Sequence, residues 1–286
     1  MVKKILYRGQ EVLEPKKDLV FKALFTANND LELLASLLSC LLDLNIHQDD
    51  IVVKNTELSP VHEEGKLSRV DVRVKLADGK HINVEIQLED EYNMGKRSIY
   101  YTSKLYADQM TSGMKYKDIC PAIAINILNF PFLPFAEYHN KYRLRNTRNN
   151  HELTDVFEIN FIELEKVPKK TDNSLKELWL RFLKAEAEEE FEMVVKEDPI
   201  FEKAAKKLLY VSADEQLRFA LEMREAAELD YGDRMATMRD EGWAQGLQEG
   251  RKKEKQEIIE TMKKEGFDDE TIAKITKLSL EEINGI

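Results

Sequence analysis

The sequence predicts an α/β fold in which a mixed β-sheet is flanked by helices and followed by an α-helical C-terminal region. Alternation of apolar and polar residues, which is typical of half-buried strands, occurs at 69–76, 81–87 and 155–164. A continuous apolar run at 120–130, with a proline near its start, suits a central strand that is buried on both faces. After Pro168 the composition shifts to Glu, Lys, Ala and Leu, so helices alone are expected beyond the sheet.

Helices are predicted before and between these strands. Apolar residues recur at helical spacing in 19–25 and again in 30–44, which predicts a short helix followed by a buried one. Residues 96–113 predict a further helix that ends at Gly113, because glycine readily takes the left-handed conformation found after helix C-termini. Residues 1–168 are therefore the predicted sheet domain.

The remainder of the chain divides into a helical region at 169–232 and a C-terminal tail at 233–286. Breaks in the helical region are expected before Pro199, because proline cannot continue a helix, and near Ser212, whose side chain can cap the next helix. Long exposed helices agree with the high proportion of charged residues, 34% of the chain.

Three glycines in the tail, Gly242, Gly246 and Gly250, recur every four residues and fall on nearly one stripe of a helix. Each costs a helix about 1 kcal/mol relative to alanine. The spacing therefore predicts either close approach by another helix, and hence a homo-oligomer, or a frayed helical linker. Residues 268–283 predict two short helices, the second capped by Ser279. The pair has the form of a helix-turn-helix, but its acidic face favours packing against a partner helix over contact with DNA.

Membrane spans and disulfide bonds are not predicted. The apolar runs are only a few residues long, and the N-terminus has neither an apolar signal core nor a small-residue cleavage site. Cys40 and Cys120 lie in apolar stretches and lack the spacing of metal ligands. We expect a cytoplasmic protein in which both cysteines are reduced and packed in the core.

The net charge of −11 argues against a nucleic-acid partner only until its distribution is considered. Residues 1–168 hold 22 basic and 25 acidic residues, whereas residues 169–286 hold 21 and 29, so most of the acidity lies in the C-terminal part. Within the first part, the segment 138–151 contains no acid but has four basic residues, Lys141, Arg143, Arg145 and Arg148. These residues either meet DNA phosphates or belong to a solvated strand edge or loop.

The first two alternating runs predict a β-hairpin whose register decides where two acids lie. A two-residue turn at Asp78 and Gly79 would pair Asp71 with Ile86 and place charges on both faces. A three-residue loop, with Gly79 in the left-handed position of a bulge, instead pairs Asp71 with Glu85. Only this register collects the valines and isoleucines on one face and the polar residues on the other, so it is the predicted one.

Paired carboxylates on adjacent strands need a compensating charge. Side chains directly opposite each other have Cβ atoms about 5 Å apart. Two carboxylates at that distance repel by about 3 kcal/mol at an effective dielectric constant of about 20. Arg73 and Lys75 can neutralise them as a charge ladder on a solvated face. Alternatively, the acids hold a hard divalent cation such as Mg²⁺, with water and substrate phosphate in the remaining positions. The spacing alone does not distinguish the two.

Several stretches of the chain resemble one known family of nucleases. These stretches are DLVFKALF at 18–25, VDVRV at 70–74, VEIQ at 84–87, KRSIYYTSKLYADQ at 96–109 and FIELEKV at 161–167. In combination they resemble the PD-(D/E)XK nuclease superfamily and, within it, the Rpn family of recombination-promoting nucleases or transposases. The tail that ends in IAKITKLSLEEI is also similar to the C-terminus of that family. The resemblance covers nearly the whole chain and implies a restriction-endonuclease-like fold, with the nuclease domain at 1–168.

The resemblance implies a metal-dependent active site on the hairpin. Asp71 matches the motif aspartate and Glu85 the second acidic residue, so both are implied metal ligands, with the carbonyl group of Ile86 as an additional ligand. Asp18 matches the acidic residue that many superfamily members present from the first helix. Gln87 stands where the superfamily signature has lysine. Glutamine can orient a water molecule, but it cannot supply the positive charge of lysine.

Other residues are candidates for the missing charge and for contact with DNA. Lys22 lies one helical turn beyond Asp18, and Arg97 opens the helix after the hairpin, so either can replace the signature lysine. Tyr101 and Gln109 lie on that same predicted helix, where they either contact DNA or serve packing and hydrogen bonding.

The implied activity is hydrolysis of phosphodiester bonds in DNA by a Mg²⁺-dependent endonuclease, for which Mn²⁺ can substitute. The resemblance suggests a role in recombination or in defence against foreign DNA. Two alternatives remain open on the residues alone. One is a catalytically weak or inactive protein that keeps the nuclease fold as a DNA-binding, regulatory or protein-interaction module. The other is a helix-turn-helix DNA binder that uses residues 268–283. Retention of Asp71, Glu85 and Asp18 at compatible spacings favours the enzyme.

Overall fold

The computed structural model describes residues 5–54, 71–90, 92–168 and 174–284. Eight strands lie in these residues: β1 (Ile5–Tyr7), β2 (Gln10–Val12), β3 (Ile51–Val53), β4 (Val72–Leu76), β5 (His81–Gln87), β6 (Ala122–Leu128), β7 (His139–Arg143) and β8 (Phe157–Glu163). The first two form a small antiparallel hairpin, and the other six form a mixed sheet in the order β3-β4-β5-β6-β8-β7. The predicted α/β architecture is therefore confirmed.

Nine helices of the described residues accompany the sheet: α1 (Asp18–Thr26), α2 (Glu32–Leu42), α3 (Met94–Ala107), α4 (Leu175–Lys184), α5 (Glu188–Glu197), α6 (Pro199–Ser212), α7 (Glu215–Lys264), α8 (Asp269–Thr276) and α9 (Leu280–Asn284). The predicted break before Pro199 is confirmed. Pro199 is the first residue of α6, and the side chain of Asp198 caps this helix by accepting a hydrogen bond from the Ile200 N–H group at 2.9 Å.

The sheet separates two apolar layers. β5, β6 and β8 run parallel, whereas β4 and β7 are antiparallel to their neighbours. One face packs with α1, α2 and α4 to α6 in the larger core. The other face is covered by α3, where Met94 packs with Leu128 and Phe161. All seven residues of β6 are buried, so the prediction of a central strand is confirmed.

The hairpin of β4 and β5 has the predicted register. Val72 pairs with Val84. Around the loop, the Leu76 N–H group donates to the Lys80 carbonyl, and the Gly79 N–H group donates to the Leu76 carbonyl, both at 2.9 Å. Gly79 has a φ of +92°, the left-handed conformation expected of a bulge glycine. The three-residue loop is therefore confirmed, and the two-residue turn is excluded.

The predicted end of the third helix at Gly113 is wrong, because α3 ends at Ala107. Two residues later, the side chain of Gln109 is hydrogen-bonded to both backbone groups of Cys120, which turns the chain toward β6. Gly113 does have a positive φ, +87°, but it lies in the turn that follows.

Ser212 does not cap α7, which corrects a second prediction. Its hydroxyl oxygen instead accepts a hydrogen bond from the Leu13 N–H group at 2.9 Å. Asp214, directly before α7, accepts hydrogen bonds from the N–H groups of Gln216 and Leu217 at 2.8 and 3.2 Å. The carboxylate is one residue from the helix and therefore reaches its unpaired N–H groups, which Ser212 does not.

Four strands were not among the predicted ones. β1, β2 and β3 have three residues each, too few for a period of two to be recognised. β7 lies inside the basic segment 138–151 and is an edge strand of the sheet, and contact of this segment with DNA stays a prediction. The predicted strand at 69–76 is described only from residue 71 onward.

Residue contacts divide the chain into two compact units, Met1–Arg224 and Glu225–Ile286. In the first unit the helices α4 to α6 share one core with the sheet. In the second unit Ile259, Ile272 and Ile283 form a small buried cluster. The finer division at residues 168 and 232 stays a prediction.

The long helix α7 is continuous through Gly242, Gly246 and Gly250, which favours the helical interpretation of this stretch over a frayed linker. A Cβ atom added at any of the three would meet no other atom within 4 Å. α8 and α9 follow as the predicted pair of short helices. None of the helices in the described part of the chain combines the length and apolarity needed to cross a bilayer.

Candidate active site

Asp71 and Glu85 lie on the polar face of the hairpin. Because Val72 pairs with Val84, the continuation of the ladder by one residue sets Asp71 across from Glu85. Side chains alternate along a strand, so both acids project away from the face that carries the two valines. Each acid is only 8% exposed. The register therefore places two buried carboxylates on one face of the sheet.

Each of these acids is paired with an arginine. Nε of Arg73 donates to Oδ2 of Asp71 at 2.6 Å, and Arg97 of α3 donates to Oε1 of Glu85 at 2.8 Å. Arg73 also donates to Oδ1 of Asn83, its neighbour across the ladder, at 3.3 Å. The two guanidinium groups supply the compensating charge that neighbouring carboxylates require. Arg73 therefore neutralises Asp71, as predicted for a charge ladder on this face, and Arg97 adds a second cation from α3.

Gln87 ends β5 on the same face as Glu85. Its Oε1 atom is buried and accepts no hydrogen bond from the described residues. A buried acceptor without a donor costs about 1–3 kcal/mol, so this is a place where a water molecule or ligand is expected. The side chain of Ile86, between the two, packs in the larger core on the opposite face. Only the backbone carbonyl of Ile86 is thereby a candidate ligand.

A buried chain of hydrogen bonds holds α3 against the sheet beside Glu85. Asn126 is the neighbour of Glu85 on β6. Oγ of Ser98 donates to Oδ1 of Asn126 at 2.9 Å, and Nδ2 of Asn126 donates to the carbonyl of Asn160 at 3.1 Å. Since Ser98 directly follows Arg97, this chain fixes the position from which Arg97 reaches Glu85. Sequence reasoning missed it, although an asparagine inside an otherwise apolar strand was the available signal.

Asp18 and Lys22 lie on α1, whose inner residues belong to the larger core. Oδ1 of Asp18 accepts a hydrogen bond from the Leu19 N–H group at 2.8 Å, and Oδ2 pairs with Arg224 at 2.7 Å. Lys22 is buried, with 1% of the residue exposed. The pair of Asp18 with Arg224 was not predicted, because no local pattern links residues so distant in sequence.

The donor set at the hairpin fits a hard divalent cation with two protein carboxylates. Among the described residues, no group of three or more His, Cys, Asp or Glu side chains is arranged to hold a metal ion. Mg²⁺ commonly uses one or two carboxylates and keeps water in its other positions. Asp71 and Glu85 supply the carboxylates, and the unpartnered Oε1 of Gln87 can accept a hydrogen bond from such a water molecule.

Two of the four basic residues that are candidates for DNA contact pair with a buried acid. Nε of Arg143 donates to Oε2 of Glu158 at 2.7 Å, and Nζ of Lys141 lies 3.6 Å from Oε1. Burial raises the pKa of Glu158, but hydrogen bonds from Asn160 and Arg143 and the nearby positive charges outweigh it and hold that pKa below its ordinary value. These cations are therefore engaged within the fold.

The other two basic residues lie beyond the strand β7. Arg145 pairs with Glu152 at 3.0 Å, and Arg143 reaches the same carboxylate at 3.1 Å. Arg148 is exposed, and its side chain has no charged partner among the described residues. The internal pairs favour the structural interpretation of the segment, and of the four basic residues Arg148 alone has no ion pair with an acid in the described part of the chain.

Tyr101 and Gln109 have different surroundings. The guanidinium carbon of Arg97 lies 5.9 Å from the centre of the Tyr101 ring, which remains partly exposed. The Gln109 amide donates to the Cys120 carbonyl at 3.0 Å and accepts from the Cys120 N–H group at 3.1 Å. These bonds favour a structural role for Gln109, whereas Tyr101 remains partly exposed and stays a candidate for contact with DNA.

Glu163, at the end of β8, is a buried acid that sequence reasoning did not single out. Its Oε2 atom accepts hydrogen bonds from the N–H groups of Phe132 and Leu133 at 2.7 and 3.3 Å and pairs with Lys166 at 2.6 Å. It thereby fixes the loop after β6 at the carboxyl ends of the parallel strands, where Gln87 also lies.

The mixed sheet, its flanking helices and the paired acids at the hairpin define a protein of the nuclease-fold class. The pattern of the PD-(D/E)XK nuclease family transposases matches residues 15–238, more than half of the chain, and the chain belongs to this family. The resemblance inferred from the sequence is thereby confirmed. No significant match to a curated protein or to a solved structure was found. The family is one of nuclease-type hydrolases.

Proposed function

We propose that this protein is a metal-dependent endonuclease that hydrolyses phosphodiester bonds in DNA. The observation that carries the proposal is the pair of buried carboxylates, Asp71 and Glu85, on one face of the hairpin, on the same face as the buried oxygen of Gln87 that has no hydrogen-bond partner among the described residues. Two acids so placed provide the ligands of a hard cation. Family membership supplies the reaction class.

Asp71 and Glu85 would hold Mg²⁺, or Mn²⁺ in its place, with the carbonyl group of Ile86 as an additional ligand. When bound, the ion supplies positive charge at the scissile phosphate and lowers the pKa of water at the site. Gln87 accepts a hydrogen bond from the attacking water through Oε1 and orients it. These roles require only that β5 has the observed register, which places Glu85 and Gln87 on the same face of the sheet.

Positive charge comes from outside the signature position, because Gln87 cannot supply it. Arg97 is the leading candidate, since its guanidinium group already reaches Glu85 and can donate to phosphate oxygens in the fork geometry that suits them. Lys22 is a second candidate. Asp18, held by Arg224, keeps the first-helix position of the superfamily acid and is proposed to support the site.

Nicking of supercoiled plasmid tests the proposal. The purified chain should convert plasmid to open-circular and linear forms with Mg²⁺ or Mn²⁺ and show no conversion in EDTA. Asp71→Ala and Glu85→Ala should each abolish cleavage. Asp78→Ala, which removes an exposed acid at the loop of the same hairpin, is the matched control and should cut normally. Equal cleavage by all variants would assign the activity to another site or to a contaminant.

Gln87 variants refine the assignment. Gln87→Ala should reduce turnover by about 10²-fold, the loss typical of one oriented hydrogen bond in a transition state. Gln87→Lys restores the charge of the superfamily signature and should retain or raise activity.

A protein that binds without cutting is the second candidate function. It is supported by the arginine pairs, because Arg73 and Arg97 neutralise both acids without a metal ion. In that case the two alanine variants at 71 and 85 would bind DNA like the parent, and no preparation would cut it.

The biological setting and the partners are proposed on the same basis. DNA is the proposed substrate, in recombination or in defence against foreign DNA, in the cytoplasm. A homo-oligomer formed through the tail 233–286 is proposed. An added Cβ atom at Gly242, Gly246 or Gly250 of α7 would meet no described atom within 4 Å, so a helix of a second copy can approach this face closely. Arg148 is the remaining candidate for DNA contact in the basic segment.

A further inference from the structure

A small pocket of about 10 Å³, room for about one water molecule, lies between α3 and the polar face of the hairpin. We call the surface around this pocket the groove; it is formed by Arg73, Asn83, Tyr101, Lys104, Leu105 and Asp108. The first two come from the strands β4 and β5, and the others come from α3 and the residue that follows it.

The groove is continuous with the paired acids. Arg73, on one wall, is hydrogen-bonded to Asp71 at 2.6 Å. Arg97 connects the other acid to the opposite wall, because it lies 2.8 Å from Oε1 of Glu85 and 5.9 Å from the centre of the Tyr101 ring. A ligand in the groove therefore lies beside the carboxylates proposed to hold the metal ion.

Cations and aromatic surface occur together in this groove. No acid of the described residues forms an ion pair with Lys104. Arg73 is paired with Asp71 through Nε, which leaves its other guanidinium nitrogens as donors for a ligand, and Asp108 is the acid at the end of α3. Tyr100 stands edge-on to Tyr101 at 5.3 Å between ring centres and is 63% exposed. The charge of Lys104 and these partly exposed aromatic rings together match a phosphodiester whose base is available for stacking.

We infer that the groove binds an unpaired stretch of DNA beside the cleavage site, with phosphates at Arg73 and Lys104 and a base stacked on Tyr101. The inference rests on the proposed function and adds the substrate class: single-stranded DNA, or a duplex that carries an unpaired end or gap. The bases of an intact duplex are stacked on one another, so the ring of Tyr101 can stack only on a base that is unpaired. A duplex held through its phosphates would use Lys104 but not Tyr101.

Binding without cleavage tests this inference. The full chain is titrated in EDTA into a fluorescent oligothymidylate and, separately, into a fluorescent, fully paired, blunt-ended DNA duplex, with anisotropy as the readout. The parent should bind the single strand more tightly than the duplex. Tyr101→Leu keeps apolar volume but loses the aromatic ring, and should weaken single-strand binding by about tenfold while leaving duplex binding unchanged. Tyr101→Phe should bind like the parent. Lys104→Gln should weaken both and reduce the salt dependence.

The control is Tyr210→Leu, because Tyr210 is an exposed tyrosine on α6, which packs in the larger core and not beside α3. It should change neither affinity. If Tyr101→Leu does not fold, photocrosslinking of an iodouracil-containing strand to the parent replaces it. The crosslink should map to Tyr100 or Tyr101, and a crosslink elsewhere overturns the inference.

Two results separate this inference from the endonuclease proposal. A parent that cuts plasmid but binds the blunt-ended duplex and the single strand equally, with no effect of Tyr101→Leu, overturns the inference about the groove and leaves the nuclease proposal standing. Single-strand binding that depends on Tyr101, without any metal-dependent cleavage, supports the groove and rejects the nuclease.

Discussion

Arg97 donates a hydrogen bond of 2.8 Å to Oε1 of Glu85 from a position that α3 fixes through Ser98 and Asn126. Both members of this pair are largely buried, with 18% and 11% of their side chains exposed. A metal ion at Glu85 would compete with this guanidinium group for the same carboxylate. The pair therefore couples metal binding to the position of the cation proposed to act on the phosphate.

Replacement of Arg97 should have opposite effects on metal affinity and turnover. Arg97→Gln removes a positive charge next to the proposed ligands, so its affinity for Mn²⁺ should rise by about tenfold, or about 1.4 kcal/mol, while cleavage slows. Without metal, the loss of a charged hydrogen bond should lower the free energy of unfolding by about 1.5–3 kcal/mol. Calorimetric titration with Mn²⁺ measures the metal affinity, and urea unfolding in EDTA measures the free energy of unfolding.

Arg97→Lys is the control for charge, since it should leave Mn²⁺ affinity near that of the parent. A fall in metal affinity in Arg97→Gln would show that Arg97 supports the metal site instead of competing with it.

Gly79 is expected to be sensitive to any side chain. Its φ is +92°, and an added Cβ atom would lie 2.5 Å from Sγ of Cys120. Gly79→Ala should lower the free energy of unfolding by about 1–2 kcal/mol from the left-handed backbone, and by about 1–3 kcal/mol more from overpacking. In a Cys120→Ala background only the backbone part should remain. Urea unfolding of the parent, the two single variants and the double variant gives the coupling energy between the two substitutions. A coupling energy of zero would contradict the predicted clash.

Stability should fall as the pH is lowered below neutrality. Burial lowers the pKa of His139 despite its hydrogen bond with Asn160. A histidine with a lowered folded pKa contributes fully above its unfolded pKa of about 6.5, and this contribution is lost as the pH falls toward the folded value. Glu158 adds a second loss at lower pH, because its stabilisation is present above the unfolded pKa of about 4.3 and disappears through the lowered folded pKa.

Urea midpoints across this pH range check the prediction. His139→Gln should flatten the decline between neutrality and mild acid, while His151→Gln, at an exposed position, should leave it unchanged. A parent whose midpoint does not change between neutral and mildly acidic buffer would contradict the assignment.

The tail should self-associate in an antiparallel arrangement. Residues 225–241 hold six acids and two bases, whereas residues 248–264 hold four acids and six bases, so an antiparallel pair sets unlike charges opposite each other. Trp243, on the glycine-containing face of α7, is 76% exposed. Trp243→Glu should therefore reduce the sedimentation coefficient of the full chain, and a chain ending at residue 232 should be the smaller species.

Gln248→Glu makes a charge change on the opposite side of the same helix and should sediment like the parent. Equal association states for the parent, Trp243→Glu and the shortened chain would rule out the tail as the association element.

The hairpin was predictable because its constraints are local. A strand period of two, a glycine that can take a left-handed conformation and the need to bury valines together leave one register, which places Asp71 across from Glu85. The central strand β6 was predictable for a similar reason, since an unbroken apolar run must be covered on both faces.

Features that depend on distant partners were not predictable from pattern. The pairing of Asp18 with Arg224 joins α1 to the start of α7. The early end of α3 depends on Gln109 bonding to the backbone of Cys120, and the basic residue Arg143 finds its acid on a neighbouring strand. In each case a tertiary contact decides the role of a residue whose local sequence allowed several.

Location of Mn²⁺ in crystals of the full chain shows whether Asp71 and Glu85 share a metal ion. We expect an anomalous peak bonded to carboxylate oxygens of both Asp71 and Glu85, with Arg97 displaced from Glu85 and a water molecule hydrogen-bonded to Oε1 of Gln87. A peak at another group of residues, or none at saturating Mn²⁺ with the pairs to Arg73 and Arg97 intact, would contradict it.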